Sequence, residues 1–121
     1  MTWTTAEVAT IGATEEILIT TPHADGTPRR WVPIWVVESD GELFVRSAYG
    51  STAAWYRHAL ASGARVRVGT VEYPVTLEPV QGANTRIDEG YRRKYARQPS
   101  SMQQMIGPVA APTTARLIRA T

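Results

Sequence analysis

PRRWVPIWVVESDGELFVRSAYGSTAAWYRHALASG, residues 28–63, is the stretch whose reading decides the fold. Trp31, Pro33, Trp35 and Val37 fall on one face of an extended run, and Val32, Ile34 and Val36 on the other. A strand that is apolar on both faces needs cover on both sides, as in a closed barrel or at a subunit interface. Asp40-Gly41 follows as a hairpin signal, because these residue types tolerate the positive φ that a two-residue turn requires. The second run, 43–47, carries Arg46 and Ser47 straight into Tyr49-Gly50-Ser51. A helix is predicted from there over 51–60, with Gly63 as its stop.

Upstream, Pro22-His23-Ala24-Asp25-Gly26-Thr27-Pro28 is dense in turn formers and links the central run to a β-branched strand over 16–21. Before that strand, Thr4 caps a short helix with Glu7 in its first turn, ending near Gly12. Downstream, residues 65–69 alternate as a half-buried strand, and 72–80 form another with Tyr73, Val75 and Leu77 on one face. Thr85-Arg86-Ile87-Asp88 resembles a capping box with Asp in the place of Glu or Gln. Ile87, Tyr91 and Tyr95 then recur at helical spacing, with Asp88–Arg92 and Glu89–Arg93 as i,i+4 pairs. Gly90 inside this helix costs about 1 kcal/mol against Ala. Gln98-Pro99 ends the helix, residues 102–112 read as a short helix and a loop, and 113–120 close the chain as a strand. The sum is an α+β, mainly β chain: a six-stranded antiparallel barrel with short connecting helices, in a single domain over 1–121.

Composition fits this reading. At 121 residues with 43% hydrophobic and 20% charged residues, the chain suits one globular domain. A net charge of +2 and a sequence pI near 9.3 imply a modest preference for anions, not a nucleic-acid surface. There is no cysteine, which excludes disulfides and thiolate chemistry. No apolar run is long enough for a membrane span, and no basic stretch followed by an apolar core marks a secretory signal. The expectation is a cytoplasmic protein.

Conventional catalytic signatures are missing. His23 and His58 lie far apart in the chain with no supporting ligand spacing, so no metal site is expected. No G-x-S-x-G elbow, Walker loop or G-x-G-x-x-G occurs. Asp88 and Glu89 are adjacent on a helix and point apart, so they are no acid–base pair. One constellation remains: Arg46, Ser47, Tyr49, Gly50, Ser51 and the helix that follows. A helix N-terminus with a close-approach glycine, two hydroxyls and the guanidinium groups of Arg46 and Arg57 suits a phosphate. The same residues also describe an ordinary strand-to-helix turn, with Ser51 as a cap and Arg46 salt-bridged at the rim. Trp31 and Trp35 read either as barrel or dimer core or as a wall for a flat aromatic ligand. Pro33, which has no N–H, favours an edge or a break beside them. Trp55 reads as a packing residue of the helix, and Tyr91 and Tyr95 read equally as core or as the lining of a substrate side.

The order of elements, and above all VRSAYGSTAAWYRHALASGARVRV, resembles the FMN-binding split-barrel superfamily, which includes pyridoxamine 5'-phosphate oxidase-like proteins. The elbow is similar to that of the deazaflavin-dependent nitroreductases, where a strand and a Ser-Lys-Gly-Gly sequence lead to a Trp-Tyr helix. More narrowly, DGTPRRWVPIWVV, VRSAYG, WYRHAL, YRRKY and TTARL resemble the DUF2255 family over nearly the full length. The resemblance implies a homodimer of six-stranded split barrels that binds FMN or coenzyme F420 at the subunit interface. It further implies a phosphate against Ser47, Tyr49, Gly50 and Ser51, and a ring along Pro33, Ile34 and Trp35 with Trp55 nearby. The chain departs from the nitroreductase elbow in having Ala48-Tyr49-Gly50 where that group has Lys-Gly-Gly. Arg46 or Arg57 would then supply the charge. The function expected is hydride transfer to a small organic acceptor, with catalytic residues unspecified because the cofactor carries the chemistry. The alternatives are a non-catalytic carrier of a cofactor or small aromatic ligand, and a structural dimer with a vestigial pocket.

Overall fold

The computed structural model describes residues 2–120. Thr4 caps α1 (Thr5–Ala13) in a reciprocal box, its hydroxyl accepting from the Glu7 N–H while the Glu7 carboxylate accepts from the Thr4 N–H. Strand β1 (Ile17–Thr20) follows, then a loop pinched by a bridge between Pro22 and Pro28, then β2 (Val32–Ile34). Next come β3 (Val37–Ser39) and β4 (Glu42–Val45), joined through Asp40 at φ 53° and Gly41 at φ 80°. Two consecutive positive φ values give the turn the twist that the hairpin needs. Helix α2 (Ala54–Ser62), β5 (Ala64–Val68), β6 (Val71–Pro79), α3 (Asn84–Lys94), α4 (Pro99–Met105) and β7 (Ala115–Arg119) complete the order.

All the strands join one antiparallel sheet, in the order β2-β1-β5-β6-β7-β4-β3, curled into a half-barrel. It has seven strands, not the six expected. The central run breaks at Trp35-Val36, and its two halves lie on opposite edges of the sheet. At the break, the Val36 N–H donates to the Tyr95 hydroxyl at 3.4 Å and the Val36 carbonyl accepts from Lys94 Nζ. Tyr95 and Lys94 thus stand in for a neighbouring strand, so both backbone polar groups of Val36 have partners.

The two apolar faces of this run are covered unequally. Ile34 and Val36 join the inner core with Ile17, Ile19, Leu43 and Val66, roofed by Tyr56 of α2 and Ile11 of α1. Val37 enters a second cluster with Phe44, Ile87, Tyr91, Tyr95 and Met102, and Trp35 packs against it. Within the chain, α3 and α4 enclose Val37 and pack against Trp35, while Pro33 on the same face is exposed and Trp31 is half-buried. Each large apolar side chain enclosed in this way contributes about 1.5–3 kcal/mol relative to exposure.

Helix α2 starts at Ala54, with Ala53 at the cap position and no capping side chain, so Ser51 is not the cap. Helix α3 starts at Asn84, and residues 85–88 form no capping box. Asp88 turns instead to Arg46, and Arg92 pairs with Glu89 at 2.8 Å. Pro99 opens α4, because a missing N–H costs nothing at a helix start.

Two glycines set how closely helices approach the break. A Cβ built on Gly12 would lie 2.9 Å from the Cβ of Glu38, whereas one on Gly90 meets Val37 at an ordinary 3.4 Å. Gly12→Ala is expected to cost about 1–3 kcal/mol through overpacking. Gly90→Ala is expected to be neutral or stabilising by up to about 1 kcal/mol, because it gains helix propensity. Urea denaturation of both variants checks the order, and a Gly90→Ala protein less stable than Gly12→Ala contradicts it.

Candidate functional site

The strand break and the elbow after β4 face a common cleft of about 480 Å³. Pro33, Ile34 and Trp35 form one wall, Arg46, Ala48 and Tyr49 another, and Trp55 stands at the start of α2. Ser101, Gln104 and Met105 of α4 close a third side, with Glu16 and Gln98 at the margin. The volume lies within the roughly 300–1,000 Å³ of small-molecule sites. Trp35 stacks on Tyr95, with ring centroids 3.7 Å apart and planes within 3°, so one face of the indole is already covered. Trp55 stands edge-on to Tyr56 at 5.7 Å.

Six of the ten residues predicted from sequence meet here: Pro33, Ile34, Trp35, Arg46, Tyr49 and Trp55. Ser47, Gly50, Ser51 and Arg57 do not line the cleft. Ser47 is buried, its N–H donating to Thr113 Oγ1 at 2.8 Å, while its hydroxyl has no partner among the described residues. Gly50 takes φ 86°, its N–H donating to the Ser47 carbonyl at 3.1 Å. Ser51 and Arg57 are exposed, and Arg57 Nε donates to the Thr52 carbonyl. Tyr91 and Tyr95 are core residues, and burial pushes both phenols above their ordinary range. The contribution of α4 was not legible in the sequence; the Pro99 start followed by Met102 and Met105 one turn apart was its only signal.

Arg46 is the most constrained polar side chain of the site, at 1% exposure. Its Nε donates to Thr114 Oγ1 at 2.7 Å, and Nη1 donates to Asp88 Oδ1 at 2.6 Å and to the Met105 carbonyl at 2.9 Å. Nη2 donates to the Asn84 carbonyl at 3.3 Å, and the Tyr91 ring lies 5.3 Å away. This guanidinium ties β4 to α3, α4 and the segment before β7. A planar ligand therefore finds fitting walls here, while the cation beside it already has an internal counter-charge.

The described residues gather no cluster of three His, Cys, Asp or Glu side chains, and none of their helices is long and apolar enough to cross a membrane. With the geometry in view, comparison with known proteins gives a family. The chain belongs to DUF2255, described as an uncharacterized protein conserved in bacteria, which matches residues 7–117. No curated protein matches this member. Among solved structures, conserved hypothetical protein Rv2991 from Mycobacterium tuberculosis superposes with a TM-score of 0.62 at 11% identity, covering 100% of this chain and 81% of that one. Protein Atu2129 of unknown function from Agrobacterium tumefaciens gives 0.60 at 14% identity, covering 98% of this chain and 54% of that one. A FAD-binding protein (mll6688) from Mesorhizobium loti gives 0.54 at 18% identity, covering 100% and 93%. At such identities the likeness is one of fold.

Two expectations arise from this geometry. Arg46→Ala leaves the Asp88 carboxylate and two carbonyls without their donor, and should cost about 3–5 kcal/mol of stability, measurable by urea denaturation. A loss below about 1 kcal/mol, the range of an exposed ion pair, contradicts the structural role given to it. Lys94, the chain's single lysine, is held by burial at a pKa of about 8 instead of 10.5, a shift opposed only by Glu15. Between these values the unfolded chain binds the extra proton. This contribution to stability is therefore full above the unfolded value and is lost as pH falls through about 8. Stability should rise from pH 8 toward 10, and Lys94→Met should flatten that slope.

Proposed function

We propose that this DUF2255 member is a split-barrel oxidoreductase that holds FMN or the deazaflavin coenzyme F420 in the cleft beside the strand break, and serves a small organic acceptor. The observation that carries the reading is the convergence of Pro33, Ile34, Trp35 and Trp55 with the elbow in one cleft of ligand size. The bound ring would supply the hydride chemistry, and the chain's own residues bind, orient and exclude water. Trp35, held flat by Tyr95, sets the plane in which a ring lies. Pro33 leaves an adjacent backbone edge without a donor of its own. Ser47, Tyr49, Gly50 and Ser51 guide the chain toward the uncapped start of α2, where the ribityl-phosphate end would run, with Arg57 exposed farther along the same helix. Arg46 positions this elbow through its bonds to Asp88, Thr114 and Met105.

A homodimer with the cofactor at its interface belongs to the same proposal. Tyr49 at 78% and Val109 at 57% exposure lie beside Pro108 at the lip of the cleft, an apolar rim that a second copy would cover. A second reading, a non-catalytic carrier, draws support from the charged groups lining the cleft, which among the described residues are Glu16 and the neutralised Arg46.

Tryptophan quenching during titration with FMN and with F420 tests the reading: saturable binding of one at micromolar concentration is expected, and no binding of either refutes it. Trp35→Leu should weaken that binding by about 0.5–1.5 kcal/mol through lost stacking. Turnover of the reduced cofactor with a quinone separates enzyme from carrier. Sedimentation velocity at micromolar concentration should show a dimer that Tyr49→Arg disperses, and a monomeric wild type removes the interface from the proposal.

A further inference from the structure

We infer that the cleft recognises the planar ring of its ligand and gains almost nothing from a phosphate, so that a neutral flavin ring compound binds as tightly as its phosphorylated form. The inference rests on the flavin reading of this cleft and concerns how the ligand is held. A phosphate site usually presents a guanidinium or ammonium group with free donors, because charge-assisted bidentate contacts provide both strength and direction. Here the cation of the cleft is Arg46. A guanidinium carries five N–H donors, and four of them go to Thr114, Asp88, Met105 and Asn84. The Asp88 carboxylate at 2.6 Å balances its charge, and Glu16 stands at the margin of the same cleft. A dianion brought to Arg46 would meet a guanidinium already paired with Asp88 and one donor left.

Within one chain, neither Arg57 nor Lys94 replaces it. Arg57 lies outside the lining and turns its Nε back to the Thr52 carbonyl. Lys94 points to the Val36 carbonyl on the far side of the break. What remains at the phosphate end is the start of α2, a partial charge with backbone donors that water also satisfies well.

The ring end is built differently. Trp35 is backed by Tyr95, and Pro33, Ile34, Trp55 and Met105 complete an apolar slot. The polar groups beside the slot are neutral: Gln98, Ser101 and Gln104. Gln104 Nε2 donates to the Ala48 carbonyl at 3.3 Å, which leaves its carbonyl oxygen as an acceptor. Neutral amides suit the alternating donors and acceptors along the edge of an uncharged heterocycle, and they discriminate by hydrogen-bond pattern instead of by charge.

The wild-type protein titrated with riboflavin and with FMN, followed by tryptophan quenching at about 50 mM and about 500 mM salt, tests this. The expected result is affinities within about threefold of one another and unchanged by salt. FMN binding more than about tenfold tighter than riboflavin, with the advantage lost at high salt, would overturn the inference, since one charge-assisted hydrogen bond supplies that much. The flavin reading would survive that result. No binding of riboflavin or FMN, with F420 bound, overturns the claim of neutral-ring recognition and leaves the deazaflavin reading in place. No binding of any of the three sinks the reading itself and the inference with it.

Discussion

The interactions around Val36 hold together much of what is distinctive here. An antiparallel sheet curled into a half-barrel leaves two edges, and edge backbone groups need partners or protection. In this chain the two edges are the two halves of one run, β2 and β3, with Trp35-Val36 spanning between them. Crossing that gap takes the Val36 amide and carbonyl away from any strand neighbour. Tyr95 and Lys94, adjacent at the end of α3, satisfy both groups, and the Tyr95 hydroxyl goes on to donate to the Glu15 carbonyl at 2.6 Å. Without α3 in place the break would expose unpaired backbone in the centre of the core. Helix and break are therefore parts of a single arrangement.

The cleft follows from that arrangement. At the break Trp35 faces outward onto Tyr95 while Ile34 and Val36 face inward, and among the described residues no strand neighbour covers the space beside it. The elbow after β4 is fixed independently by Arg46, whose guanidinium joins four segments distant in sequence. An aromatic wall on one side and a rigid elbow on the other leave the space between them open. Rigid support of this kind keeps the cleft formed without an occupant, and a preformed cleft lowers the ordering cost of any binding. The same rigidity explains why the buried arginine is a poor anion receptor, since its donors already have partners.

Much of the fold was legible because it rests on local patterns. The capping box of Thr4 and Glu7, the Asp40-Gly41 turn, the alternation of β5 and β6 and the helical spacing of Ile87, Tyr91 and Tyr95 each depend on residues a few positions apart. The candidate site was legible in part for the same reason: Trp35 and the elbow lie within one short stretch. The misreadings involve partners far away in sequence or the exact place where a turn hands over to a helix. Asp88 looked like a cap and an i,i+4 partner, yet its carboxylate lies at Arg46, 42 residues distant. Ser51 looked like a cap, but the turn through Gly50 delays the helix to Ala54. The helix over 99–105 starts ahead of the short helix and loop read over 102–112, because Met102 and Met105 matter only once they pack with Phe44 and Val37.

By itself the sequence determined the alternation of strands and helices, the hairpin, the apolar character of both faces of the central run and the family to which the chain belongs. These follow from side-chain period, turn chemistry and recurring motifs, which need no knowledge of what lies across the fold. Only the tertiary structure decided that the central run is two strands on opposite edges, that α3 and α4 enclose Val37 on its outer face, and that Arg46 is held by Asp88. The physical reason is the same in each case: hydrogen-bond and charge partners for buried groups are chosen by proximity in space, and α3 and α4 bring those partners from far along the chain.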